Sequence, residues 1–313
     1  MTIVLAGGSG FLGRKLAARL EHDRHDVVIL TRRPRASHRT DVAWQPDGST
    51  GSLAGHLDGV DAVVNLVGEG IADRRWSSAR KAALRDSRLL ATRTLVRAMA
   101  TCQTPPRIFV SASGVGYYGP RGDETITERA EPGADFLARL CVEWEQEARA
   151  AEGPGTRVAM VRTGLVLDAK GGALPRMLPA FKLALGATIA SGRQYMPWVH
   201  VSDWVSMVLW LIASDRAVGA FNVTAPEPVT NHEFTRVLGR VLHRPAVFQA
   251  PAFVLKLALG EMASLLLTGQ RVLPVHAEEL GFRFGFRTLE PALEDILGVY
   301  HPTTQSPRGG GPG

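Results

Sequence analysis

The stretch IVLAGGSGFLG, residues 3–13, decides the fold of this chain. Its apolar start, Ile3 to Ala6, reads as a buried strand. The turn that follows is Gly7, Gly8, Ser9, Gly10, Phe11, Leu12 and Gly13. Leu12, Leu16, Ala17 and Leu20 then recur on one face of a helix. Gly8, Gly10 and Gly13 fit G-x-G-x-x-G, and Gly7, Gly10 and Gly13 fit G-x-x-G-x-x-G. Between a strand and a helix, such a turn points free backbone N–H groups at an anion. Its glycines turn the chain tightly and let the backbone approach a pyrophosphate. Dinucleotide binding is the expectation, with the whole turn and the neighbouring Leu66 and Gly68 as cofactor contacts.

The totals narrow the rest. A chain of 313 residues, 45% hydrophobic and 21% charged, buries a full core. Its apolar runs break before spanning length, so no transmembrane helix or membrane partner is expected. A first strand opening at residue 2 or 3 leaves no room for a signal peptide. Cys102 and Cys141 offer neither a disulfide framework nor metal-ligand spacing. Reduced thiols in a cytoplasmic protein without a metal are expected, with Cys141 packing on a helix. The net charge of +6 comes from scattered arginines, which argues against a nucleic-acid surface and suits a phosphate-bearing ligand.

Apolar runs at 26–31 (DVVILT), 42–45, 61–67, 107–112 and 157–163 alternate with helical patterns at 77–100 and 135–151. This predicts βα units and a parallel sheet. After 164 the alternation breaks down. Helices are expected at 174–185, at 204–213 with Ser202 or Asp203 as N-cap, and at 231–242, 253–267, 274–280 and 289–297; 219–224 is one more strand. The 253–267 helix is expected to be buried or to face a partner. The resulting fold class is α/β: a Rossmann doubly wound parallel sheet with a smaller, mainly helical C-terminal substrate lobe. The core takes 1–164 and 197–225, and the lobe 165–196 and 226–299, most helical over 250–299. Residues 302–313, rich in Pro and Gly, read as a disordered tail.

The end of the second strand selects the nucleotide. A carboxylate there suits the ribose diol of NAD, whereas arginine suits the 2′-phosphate of NADP. Thr31-Arg32-Arg33 offers two guanidiniums and no carboxylate, which predicts NADP(H).

Several stretches carry a resemblance: GGSGFLG (7–13), RRWSSARKAALRDSRLLAT (74–92), SASGVGYYG (111–119), FLARLCVEWE (136–145), RTGLVLDAKGGAL (162–174), SGRQYMPWVHVSD (191–203) and GEMASLLLTGQRVLP (260–274). Together they resemble the extended short-chain dehydrogenases/reductases. More narrowly, they resemble the atypical epimerase-like subfamily with a C-terminal domain of unknown function. The resemblance runs from residue 1 to about 298. It implies a Rossmann core, NADP(H), and a substrate lobe for a small molecule; a homodimer through the two long helices is common among such proteins.

Family chemistry also implies a Ser or Thr after strand five and a Tyr-x-x-x-Lys pair on the next helix. The lysine lowers the tyrosine pKa and binds the nicotinamide ribose, and the tyrosine exchanges a proton with the substrate. Here the pair is absent. The residues four before the five lysines are Phe11, Ser77, Val166, Leu178 and Ala252, and Phe136 to Leu140 stand where it belongs. Ser113 or Ser111 keeps the hydroxyl that can polarise a carbonyl, and Tyr117 or Tyr118 can replace the proton donor. Glu69, Arg74 and His200 are substrate candidates, each with a structural alternative. Arg162 either meets the cofactor or pairs with a helix carboxylate. Arg75 and Trp76 either meet an anionic or aromatic substrate or begin the next helix. The expectation is an NADP(H)-dependent oxidoreductase or epimerase; the alternative is a non-catalytic NADP(H)-binding redox sensor or partner-binding protein.

Overall fold

The computed structural model describes residues 1–34 and 40–299. Its centre is a parallel sheet of β1 (Thr2–Ala6), β2 (Asp26–Thr31), β3 (Asp41–Ala43), β4 (Ala62–Asn65), β5 (Ile108–Gly114), β6 (Arg157–Thr163) and β7 (Gly219–Val223). The spatial order is β3-β2-β1-β4-β5-β6-β7, with every neighbouring pair parallel. This is a Rossmann sheet, and its order reverses between β1 and β4, where such sheets hold ligands.

Helices cover both faces, which explains why the strands are apolar throughout. Ile3 and Leu5 pack with Leu16 and Leu20 of α1 (Phe11–His22). Val4 and Ala6 point the other way, into a cluster with Ala91 and Leu95 of α2 (Ser78–Met99) and Ala148 of α3 (Phe136–Arg149). Ser77 and Asp135 cap α2 and α3 through their side chains. Beyond the core, α4 (Leu174–Lys182) contributes Leu174 and Phe181 to a third cluster. Trp204 and Leu211 of α5 (Val201–Ala213) join the α1 face of the sheet. Phe234 and Leu238 of α6 (Asn231–Val241) meet Leu293 of the last helix in the third cluster. Two further helices of eight residues or more are α7 (Ala252–Leu259) and α8 (Leu289–Leu297), beside short helices at Ala54–Leu57, Ser264–Leu267 and Val275–Glu279.

Four expectations need correction. The third strand is Asp41–Ala43 rather than 42–45, because it ends where its partner β2 ends, with Thr31 opposite Ala43. The cap of α5 is His200 rather than Ser202 or Asp203; strand Trp198–His200 pairs with Leu165–Leu167 and runs straight into the helix. The helix expected over 253–267 is three pieces, broken where Gly260 turns left-handed at φ +60°. No residue of α7 is buried, which removes the buried alternative and leaves the partner-facing one, and its Phe253 and Leu257 lie in solvent. Finally, residues 271–284 do not segregate into the lobe, whereas Leu289, Ala292 and Leu293 do pack there. Ala277, Phe282 and Phe284 pack on the sheet's α1 face, and Arg271–Val272 pairs with Thr125–Ile126. The tail expected over 302–313 falls outside the described residues. No helix among those described is long and apolar enough to cross a membrane.

Candidate functional site

The glycine turn is built by close backbone approach. Gly7 has φ +84°, and a carbon added to it would stand 2.8 Å from the Leu66 carbonyl carbon. A carbon on Gly13 would stand 2.2 Å from the Gly7 oxygen, to which Gly10 N–H donates at 3.0 Å. Gly8 faces a side chain instead, and a carbon on it would stand 2.8 Å from Ile29 Cγ2. The first turn of α1 has neither a side-chain cap nor an acidic residue. Ser77, Asp135, His200 and Thr230 cap α2, α3, α5 and α6, whereas α4, α7 and α8 also begin without a side-chain cap. The first N–H groups of α1 are therefore left for an external acceptor. Ser9 lies exposed on the turn. Lys15 on α1 pairs with Asp168 at 2.6 Å, drawing the 168–172 turn over the glycine loop. Any carbon on Gly171 would meet the Phe11 ring, at 2.1 Å.

Arg32 and Arg33 extend from the end of β2 into solvent, with Arg33 N–H donating to Thr31 Oγ1 at 3.2 Å. Leu66 N–H donates to Ala6 at 2.9 Å, which ties the end of β4 to that of β1. Gly68 follows, and then Glu69, whose exposed carboxylate pairs with Arg80. Arg74 is exposed; Arg75 donates to the Leu257 carbonyl at 3.3 Å, and Trp76 to that of Ile71 at 3.0 Å. This loop thus leans on α7.

At the end of β5, Ser111 is fully buried and Ser113 is 6% exposed. Ser113 Oγ donates to Glu145 Oε1 on α3 at 2.8 Å. Arg162 of β6, 2% exposed, forks onto both oxygens of the same carboxylate, each at 2.8 Å. Its Nη1 reaches Tyr118 Oη at 2.8 Å, and Tyr118 donates to Asn222 Oδ1 at 2.7 Å. The Tyr117 ring lies against the same guanidinium, 3.5 Å from its centroid. Burial pushes Tyr118 up to about 12, with Arg162 opposing it only in part, so this phenol keeps its proton. Burial also pushes the Cys141 thiol up to about 11.

The structure therefore brings Ser113, Tyr117, Tyr118 and Arg162 together and leaves Glu69, Arg74 and His200 outside that group. Of the two alternatives for Arg162, it takes the helix carboxylate. Glu145, Asn222 and Glu128 escaped sequence reading, although they hold the group in place. Glu128 accepts from Asn222 N–H at 2.9 Å and from His276 N–H at 3.2 Å. Asn222 Nδ2 donates to the Leu273 carbonyl at 2.9 Å. An arginine at a strand end, with a carboxylate on the preceding helix, was the only signal for this network in the sequence.

His200 sits apart as a cap. Its Nδ1 accepts Ser202 N–H at 3.1 Å, which requires the neutral ring, with its proton on Nε2, 3.2 Å from Asp295 Oδ2. Burial holds its pKa below the ordinary value, and Asp295 offsets this only in part. On acidification the unfolded chain takes up this proton before the folded one does. The stability that the neutral ring confers is full above pH about 6.5 and is lost as pH falls below it. His200→Asn keeps an acceptor at the cap and removes the titration. Urea melts at pH about 7.5 and about 5.5 are expected to show a smaller acid loss in the variant than in the wild type. Equal losses would clear His200 of any part in the pH dependence.

Comparisons with known proteins agree with this architecture. The profile of the NAD dependent epimerase/dehydratase family matches residues 3–224, and that of a domain of unknown function, DUF1731, matches 250–296. An epimerase family protein of Mycobacterium tuberculosis is 43% identical over 293 residues, 93% of this chain and 96% of the relative. The crystal structure of human epimerase family protein SDR39U1 (isoform 2) with NADPH superposes with a TM-score of 0.89 at 33% identity, covering 96% of this chain and 100% of that one. A nucleoside-diphosphate sugar epimerase from Corynebacterium glutamicum gives 0.78 at 32% identity, over 95% of this chain and 58% of that one. With its sheet order, its glycine turn and these matches in agreement, the chain belongs to the NAD dependent epimerase/dehydratase family.

Proposed function

We propose that this protein binds NADP(H) across the ends of β2, β1, β4 and β5, and acts as an epimerase-like oxidoreductase on a small molecule. One observation carries the reading: α1 begins uncapped and without an acidic residue, behind Gly7, Gly8 and Gly13, where an added carbon would stand within 3.0 Å of a neighbouring atom, beside a strand end bearing Arg32 and Arg33. These residues suit a diphosphate and a 2′-phosphate. The solved NADPH complex of a 33% identical relative supports the same choice.

The residues present fit such a cofactor. The α1 amides and Gly7–Gly13 would hold its diphosphate, and Arg32 and Arg33 its 2′-phosphate. Bound there, the nicotinamide would supply or accept hydride. Ser113 spends its proton on Glu145. It therefore faces the cleft with lone pairs and orients a donor, such as a substrate hydroxyl, rather than polarising a carbonyl. Tyr118 is tied to Asn222 and Arg162. Among the described residues no group bonds the Tyr117 hydroxyl, which makes Tyr117 the better candidate for moving a proton.

The missing Tyr-x-x-x-Lys pair, together with the burial of Tyr118, favours a second reading, a non-catalytic NADP(H) sensor. Following NADPH absorbance against a panel of carbonyl metabolites separates the two. Turnover lost in Ser113→Ala supports the enzyme, whereas a partner affinity that changes with cofactor redox state, without turnover, supports the sensor. The nucleotide choice has its own test. Arg32→Glu is expected to weaken NADPH on the order of ten- to a hundredfold in fluorescence titrations, with little change for NADH. A wild type that binds both cofactors equally would refute the NADP(H) assignment.

A further inference from the structure

Arg88, midway along α2, is 6% exposed. Its Nη1 donates to the Leu84 carbonyl at 2.8 Å and its Nη2 to the Glu69 carbonyl at 2.9 Å. The guanidinium also lies 5.2 Å from the Trp144 ring centroid. Among the described residues, no carboxylate stands within ion-pair distance of it; the carboxylate of Glu69 is taken by Arg80. Arg162, equally buried, has Glu145 instead. A buried cation held only by carbonyl oxygens and a ring face is costly, and burial lowers its pKa. These two bonds use two of its five N–H donors.

Its location gives the remaining donors a use. A carbon on Gly68 would stand 3.0 Å from the Arg88 Cζ, so the guanidinium lies against the loop that follows β4. That strand lies between β1 and β5. A dinucleotide with its diphosphate on the glycine turn and its adenosine at Arg32 must cross this loop to bring its other half to Ser113. On the facing helix, where the resemblance calls for a ribose-binding lysine, α3 has none. Beside the end of β5 it presents Cys141, whose sulfur is 4.0 Å from a carbon built on Gly114. Burial keeps that thiol neutral at ordinary pH.

We propose that Arg88 is the cationic donor to the ribose diol of the nicotinamide half of NADP(H), supplied by α2 in place of the missing lysine of α3. The proposal rests on the cofactor reading above, and a single set of titrations tests the two separately. NADPH and adenosine 2′,5′-bisphosphate, which lacks the nicotinamide ribose, are titrated against wild type, Arg88→Met and Arg88→Lys at one salt concentration. Arg88→Met is expected to weaken NADPH about tenfold or more while leaving the bisphosphate within about twofold. Arg88→Lys should fall between it and the wild type. An unchanged NADPH affinity, or an equal loss for both ligands in folded Arg88→Met, overturns the proposal. If Arg88→Met fails to fold, Arg88→Lys decides: selective weakening of NADPH supports the assignment, and an unchanged ratio of the two affinities overturns it. A wild type that binds neither ligand refutes the cofactor reading itself.

Discussion

Gly13→Ala is expected to lose NADPH binding by about a hundredfold or more and to melt at a lower temperature. The new carbon would stand 2.2 Å from the Gly7 oxygen and 2.7 Å from Gly8 Cα, both of them backbone atoms. No rotamer relieves such a contact. Either the turn widens, which drives Gly7 into Leu66, or α1 lifts off the sheet, which exposes Leu16 and Leu20. Both movements redirect the amides proposed to hold the diphosphate. Overpacking of this kind costs about 1–3 kcal/mol of stability. Gly10→Ala is the internal control, because its carbon would stand 3.2 Å from the same oxygen, a contact that a small shift relieves. The order of affinity should be wild type, Gly10→Ala, Gly13→Ala. Binding by Gly13→Ala within about threefold of the wild type would place the cofactor elsewhere.

Breaking the buried pair beneath Ser113 is expected to have the next largest effect. Glu145→Leu leaves the Arg162 guanidinium without its carboxylate, and Arg162→Met leaves a buried carboxylate bonded only to a serine. Each single change is expected to cost about 3–5 kcal/mol in urea unfolding. The double variant should cost clearly less than the sum, because no charge is stranded. It should nevertheless lose any turnover that depends on Ser113, whose hydroxyl is then free to rotate. Strict additivity of the two losses would mean that the pair is not coupled as the 2.8 Å bonds indicate.

Local signals made the core legible in the sequence. The apolar runs of the inner strands are short, buried on both faces and punctuated by turns, and the glycine turn is a constraint within seven neighbouring residues. The cap of α5 misled because a serine or aspartate is the ordinary N-cap, whereas a short strand pairing with Leu165–Leu167 delivers His200 to that place instead. Asp203 serves the C-terminal segment, accepting N–H groups of Gly285 and Phe286 at 2.8 and 2.9 Å. The break at Gly260 had a local signal, a glycine within an apolar helical pattern. The Glu145 network had almost none, since Ser113 and Glu145 are 32 positions apart and Tyr118 and Asn222 are 104 apart. Arg88 stood among the many arginines of a polar helix. Only burial sets it apart, and burial is a property of the whole fold.

The C-terminal segment carries a consequence for how this protein can be built and inherited. Leu273, Val272 and His276 satisfy Asn222, Thr224 and Glu128, and Gly285 and Phe286 satisfy Asp203. A nascent chain that has left the ribosome only as far as residue 250 holds every strand of the central sheet and the glycine turn, yet the amide, hydroxyl and carboxylates that await those partners still lack these bonds. The final segment supplies these last bonds and closes the structure much as a keystone closes an arch. The two matched segments, 3–224 and 250–296, are for the same reason poor candidates for modular exchange. A gene fusion that kept the first and replaced the second would inherit a nucleotide fold whose polar underside no longer closes.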